Sequence, residues 1–184
     1  MADRSLVHIA FYAAIIAVLG LVPAIYLPWT GPVPITAQTL GIMLAGIMLG
    51  PVRGALAVLL FLFVVALGAP FLAGGRGGIG WFYSTTGGFL IGFPVGAFVA
   101  GLVMQATRGL SVLISAAMAA AIGGILVIYA FGVPGMAYWG NMSLAKAATI
   151  ASGFIPGDLI KVVLAALIAQ TIARGLPSAM VSRN

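Results

Sequence analysis

The sequence predicts an all-α integral membrane protein, a bundle of six transmembrane helices forming a single domain over residues 1–184. Three observations carry this. Charged residues make up 5% of the chain, against about 25% in a soluble domain. Hydrophobic residues make up 63%, so the chain cannot cover a water-facing surface and lipid is the solvent for most of its exterior. Its 184 residues accommodate about six spans of ~20 residues with short connections.

The first helix is expected from about His8 to Leu27, with no proline before Pro23. The second, Gln38 to Leu49, is a short apolar run stopped by Gly50-Pro51. It falls short of the ~20 residues of a perpendicular span, so preceding residues must extend it or it does not cross fully. The third covers about Gly54 to Phe71. The fourth, about Gly87 to Thr107, contains Pro94, where a kink is expected. The fifth occupies roughly Val112 to Phe131 and the sixth about Pro156 to Ala173. The N-terminal apolar run is too long for a cleavable secretory signal.

Composition also excludes several functions. Cysteine is absent, which removes disulfides, thiolate metal sites and a cysteine nucleophile. Neither a metal nor a cofactor is expected. The formal net charge is +6, yet the basic residues are scattered singly, so no nucleic-acid partner is expected. Arg4, Arg53, Arg108, Arg174 and Arg183 fall on one side of a six-span arrangement, and only Arg76 and Lys146 on the other. The positive-inside rule then places both termini in the cytoplasm. The sixth helix enters from outside, with Asp158 in its first turn, where the helix dipole favours a carboxylate.

Asp158 and Lys161 stand out as candidates by cost alone: a charge at membrane depth costs roughly 2.5–3.5 kcal/mol on insertion scales and is usually paired. Their i, i+3 spacing puts both on one helix face. Two readings stand: a structural ion pair between helices, or a polar solute site. The outer connections favour the second. The stretch from Pro28 to Gln38 holds three prolines with hydroxyl and amide groups, including Thr36 and Gln38. The stretch from Phe71 to Gly88 is glycine-rich and carries Arg76, Trp81, Tyr83 and Thr86. Glycines let backbone approach a ligand, and aromatics offer flat walls or interfacial anchors. A third connection holds Tyr138-Trp139-Gly140-Asn141. All three face the side on which Asp158 enters.

Three blocks of this chain resemble the BioY family, the biotin-specific substrate-binding (S) components of energy-coupling factor (ECF) transporters. They are Pro34-Ile35-Thr36-Ala37-Gln38-Thr39-Leu40, the stretch from Gly74 to Phe93 ending Thr86-Gly87-Gly88-Phe89-Leu90-Ile91-Gly92-Phe93, and Phe154-Ile155-Pro156-Gly157-Asp158-Leu159-Ile160-Lys161. The chain has Ser84-Thr85-Thr86 where the family often has Gly-Pro-Thr. The resemblance implies a six-helix fold, high-affinity biotin capture from outside, and assembly with a membrane coupling subunit and two ATPase subunits in the bacterial cytoplasmic membrane. The chain itself lacks a P-loop motif. The resemblance also implies a docking face on the first helix, where Ala10, Ala14 and Ala13, Ala17 form small-x-x-x-small pairs.

Biotin's chemistry suits the candidate residues. Its ureido ring offers two N–H donors and a carbonyl acceptor, and its remaining surface is apolar apart from the carboxylate. Asp158 can accept from N–H, and Lys161 can donate to a carbonyl or carboxylate. Trp81, Tyr83, Tyr138 and Trp139 can wall the rings, with Gln38, Thr36, Thr86 and Asn141 adding polar contacts and Arg76 a candidate for the carboxylate. Two other classes remain. An intramembrane hydrolase needs two carboxylates sharing a proton or a base beside a nucleophile; the only other acid is Asp3, and the only histidine is His8. A structural or assembly subunit predicts that Asp158 and Lys161 matter for assembly while no small molecule binds. A substrate-binding component for a biotin analogue is the nearest variant of the leading reading.

Overall fold

The computed structural model describes residues 2–23 and 36–183, and among these the chain forms seven α-helices and one isolated β-bridge. Of the expected connection from Pro28 to Gln38, residues 28–35 lie outside the described residues, and the first expected helix, His8 to Leu27, ends early: residues 21–23 have already left the helix. Helix α1 runs Ala2–Gly20. Helix α2, Gln38–Leu49, stops at Gly50, whose φ of 84° is the left-handed region that glycine tolerates. Helix α3, Pro51–Ala66, begins at once with proline at its first position, where the missing N–H costs nothing.

Helix α2 is the core of the bundle. Ten of its twelve residues are buried, and it packs against α1, α3 and the later long helices. At a rise of ~1.5 Å per residue it is about 18 Å long, well short of the ~30 Å hydrocarbon thickness.

After α3 the chain turns at Gly68 and makes a tight reversal, with Leu72 and Arg76 bridged across Gly74 and Gly75. A short 3₁₀ turn, Ile79–Tyr83, follows. The third expected helix is thus shorter than the sequence suggested, because the glycines after Leu67 hand the chain to a turn. Helix α4, Gly87–Ala106, keeps Pro94 inside it.

Helix α5 runs Val112–Trp139 and departs from expectation at its outer end. Its 28 residues give about 42 Å of helix, so Tyr138 and Trp139 belong to its last turn and not to a loop. Pro134 and its neighbouring glycines read as helix breakers, but in lipid neighbouring helices can re-satisfy the backbone groups that such residues free. Within α5, Ile122–Val127 is π-helical. Helix α6, Leu144–Ser152, is capped by Ser143, whose Oγ accepts from the Lys146 N–H; it occupies a stretch expected to be a connection. Helix α7 runs Ile155–Gly175, with proline in its first turn.

Three helices, Gly87–Ala106, Val112–Trp139 and Ile155–Gly175, are long and apolar enough to cross a membrane. Their outward faces are apolar: on α7, Leu159, Ile160, Val163 and Leu167 are exposed while Asp158, Lys161, Val162, Ala165 and Ala169 point inward. Helices approach closely through small residues, which is how packing works where lipid removes the usual hydrophobic drive. At the α4–α5 crossing, a Cβ on Gly96 would lie 2.6 Å from the Gly123 carbonyl oxygen. The C-terminal tail folds back under the bundle: the Ser182 N–H donates to the Met48 carbonyl, and Arg183 Nη2 donates to the Thr107 carbonyl and Ser115 Oγ.

Candidate functional site

Two charges in the apolar first half of α7 must find partners or face water, and here they find partners. Lys161 Nζ lies 2.7 Å from Asp158 Oδ1 and donates to Thr39 Oγ1 at 2.8 Å. The Thr39 hydroxyl is 3.5 Å from Asp158 Oδ1. Tyr129 Oη, on α5, donates to Asp158 Oδ2 at 2.6 Å. Asp158 is 5% and Lys161 8% exposed. Taking two charges out of water costs several kcal/mol per ion, which the hydrogen bonds from Thr39 and Tyr129 help to offset.

This cluster lines a cavity between α2, α4, α5 and α7. Aromatic and aliphatic side chains form most of its wall, among them Phe89, Leu90, Phe93, Ile128 and Phe154. It is an apolar pocket with a few convergent polar groups at one place.

Of the residues singled out from the sequence, Thr36, Gln38, Arg76, Trp81, Thr86, Asp158 and Lys161 all line this cavity. Several are already engaged. Gln38 Nε2 donates to the carbonyls of Phe71 at 2.8 Å and Ile16 at 3.3 Å, tying α1 to the turn after α3. Arg76 donates Nε–H to the Ala73 carbonyl at 2.7 Å, and its guanidinium lies 4.5 Å from the Trp81 ring centroid, a cation–π contact. Ser84 Oγ bonds the Trp81 carbonyl and lies 2.9 Å from Thr86 Oγ1. The Ser84-Thr85-Thr86 variant thus forms a hydroxyl-latched turn leading into α4.

Tyr83, Trp139 and Asn141 do not line the cavity. Tyr83 is 68% exposed at the end of the 3₁₀ turn. Trp139 packs edge-to-face on Tyr138, itself largely exposed, because α5 continues past its expected end. Asn141 takes a φ of 47° just beyond α5 and is exposed. Tyr129 and Thr39 are the polar residues that sequence reasoning passed over. Thr39 was flanked by a signal, one residue past Gln38 at the start of a helix too short to span. Tyr129 had none beyond being a lone hydroxyl in an apolar run.

The four alanines of α1 line a separate groove with Leu60, Phe61, Val64 and Phe71. They are not equivalent. Ala10 and Ala14 are exposed, Ala17 is half-buried, and Ala13 is buried at 8%. Ala13 lies where the groove meets the face of α1 that, with Tyr12 and Ile16, packs into the protein's own core.

The model of the BioY family matches residues 1–178. A protein of Rhodobacter capsulatus named biotin transporter BioY is 48% identical over 193 residues, covering 99% of this chain and all of that one. A protein of the same name from Rhizobium etli is 50% identical over 182 residues, covering 96% of this chain and 97% of its own length. The crystal structure of the S-component for biotin from an ECF-type ABC transporter superposes with a TM-score of 0.88 at 29% identity, over 97% of this chain and 96% of that one.

Proposed function

The chain belongs to the BioY family, and from that premise we propose that it is the biotin-binding S component of an ECF-type vitamin transporter. The observation that carries the reading is the buried Asp158–Lys161–Thr39–Tyr129 cluster on the wall of an otherwise apolar cavity. A carboxylate beside an ammonium group presents an acceptor next to a donor. That is the complement of an N–H adjacent to a carbonyl, the edge of a ureido ring. The aromatic wall suits the fused ring and pentanoyl chain, and Arg76 offers a guanidinium for the terminal carboxylate.

In this reading the cavity opens to the outside and both termini are cytoplasmic, supported by the distribution of arginines and lysines. The protein crosses the bacterial cytoplasmic membrane several times, with the shorter helices completing a six-span bundle. Energy comes from a membrane coupling subunit and two ATPase subunits, and the exposed small residues Ala10 and Ala14 are where the coupling subunit packs. The protein performs no bond chemistry; it selects and presents a ligand.

Uptake of labelled biotin tests this. Cells lacking other biotin uptake should accumulate the label when they express this chain with an ECF module. Excess unlabelled biotin should suppress it, and riboflavin or thiamine should not. Accumulation equal to that of cells without the chain would refute transport.

A further inference from the structure

Asp158 receives hydrogen bonds on both oxygens, and their number limits what a ligand can do there. A carboxylate has about four lone-pair sites, two on each oxygen. On Oδ1, Lys161 and the more distant Thr39 hydroxyl approach at 2.7 and 3.5 Å. On Oδ2, Tyr129 takes one site at 2.6 Å. One acceptor position is left. Lys161 has three N–H groups, two of them directed at Asp158 and Thr39, so one donor is left beside it.

Tyr129 is held in place from more than one direction. It follows the π-helical segment Ile122–Val127 closely. The residue that a π turn inserts rotates what comes after by about 100° relative to an uninterrupted α-helix. Gly124 of that segment lies on the cavity wall, where a Cβ would meet the Met43 side chain at 2.5 Å. The Tyr129 ring packs edge-to-face against Phe89, with centroids 5.8 Å apart and an 84° interplanar angle. The hydroxyl is therefore aimed at Oδ2 by the helix and steadied by the ring contact.

We infer that Tyr129 is a positioning and specificity-determining residue: by occupying one site on Asp158 Oδ2 it fixes the carboxylate plane and admits a ligand edge that donates once and accepts once. A cyclic urea or lactam presents such an edge; a cyclic guanidinium, the protonated form of a cyclic guanidine at neutral pH, donates twice and does not. The inference rests on the biotin reading above. Without the hydroxyl, Asp158 regains a lone pair and the freedom to rotate about χ2, so the preference for a single donor weakens along with affinity.

The test uses the purified full chain in lipid nanodiscs, with biotin and 2-iminobiotin as probes. Tyr129→Phe should lower biotin affinity about tenfold and narrow the preference for biotin over 2-iminobiotin, with the melting temperature little changed. In an Asp158→Asn background the same substitution should cost less than tenfold, since the amide offers the Tyr129 hydroxyl only one uncharged oxygen. Unchanged biotin affinity, an equal loss for both probes, or a full tenfold loss in the Asp158→Asn background would overturn the inference. Should Tyr129→Phe not fold, Phe89→Leu decides: it keeps the hydroxyl, loosens the ring and should narrow the preference to a smaller degree, and an unaltered preference overturns the inference. A wild-type chain that binds no biotin would instead sink the reading on which it rests.

Discussion

Lys161 reaches back one helical turn to Asp158, and the two form an ion pair of 2.7 Å whose members are each less than a tenth exposed. A buried pair of this kind is asymmetric under mutation. Removing one partner leaves an uncompensated charge, which typically costs about 3–5 kcal/mol, whereas neutralising both is often nearly neutral.

This asymmetry separates ligand binding from architecture. Asp158→Asn keeps the shape of the side chain and should weaken biotin binding about tenfold or more, since a hydrogen bond to a charged group is worth about 1.5–3 kcal/mol. The double variant Asp158→Asn with Lys161→Met should recover thermal stability relative to Asp158→Asn alone without recovering affinity for biotin. Calorimetry and thermal melts on the same samples measure both. Recovery of binding in the double variant would mean that the pair only holds helices together.

The α1 alanines can be told apart by their burial. Ala14 is exposed in the groove beside Leu60 and Val64, so Ala14→Leu should impair uptake by the complete transporter while the isolated protein binds biotin normally. Ala13 is buried in the core; Ala13→Leu should cost about 1–3 kcal/mol by overpacking and lower the melting temperature. Equal loss of binding and uptake in Ala14→Leu would show that this face packs internally.

The amount of this that was legible in the sequence depends on what each residue could signal locally. Asp158 and Lys161 stood out because charge in an apolar run is costly wherever it folds, and the helix they share was readable to within two residues at each end. Gln38, Thr36, Arg76 and Thr86 were found through turn-forming neighbours in the connections. Tyr129 was not, because its role depends on a π segment that no local pattern announced. Trp139 and Asn141 lie away from the cavity because α5 runs on past Phe131 to Trp139, with Pro134 carried inside it by packing against neighbouring helices.

Close helix crossings predict a further contrast. A methyl group on Gly96 would press on the Gly123 carbonyl oxygen at 2.6 Å, next to the π segment that leads to Tyr129. Gly96→Ala should therefore lower both the melting temperature and biotin affinity. Gly175→Ala, with no atom within 4 Å of the added carbon, should leave both unchanged. Matching behaviour of the two variants in melting and titration would argue against the α4–α5 contact as a support for the site.

Orientation is open to a direct measurement. With both termini cytoplasmic, a reporter active only in the cytoplasm should be active when fused after Asn184. Activity only from a reporter that works outside the membrane would invert the topology and turn the cavity inward.

The central claim is that Asp158, Lys161 and the cavity around them form a ready-made biotin site within this one chain. Isothermal titration of the purified protein in nanodiscs, without ATP or other subunits, tests it most directly. The account predicts tight binding of one biotin per protein, competed by unlabelled ligand and weakened by Asp158→Asn. No heat and no competition at micromolar biotin, from protein shown to be folded by its melting transition, would contradict it.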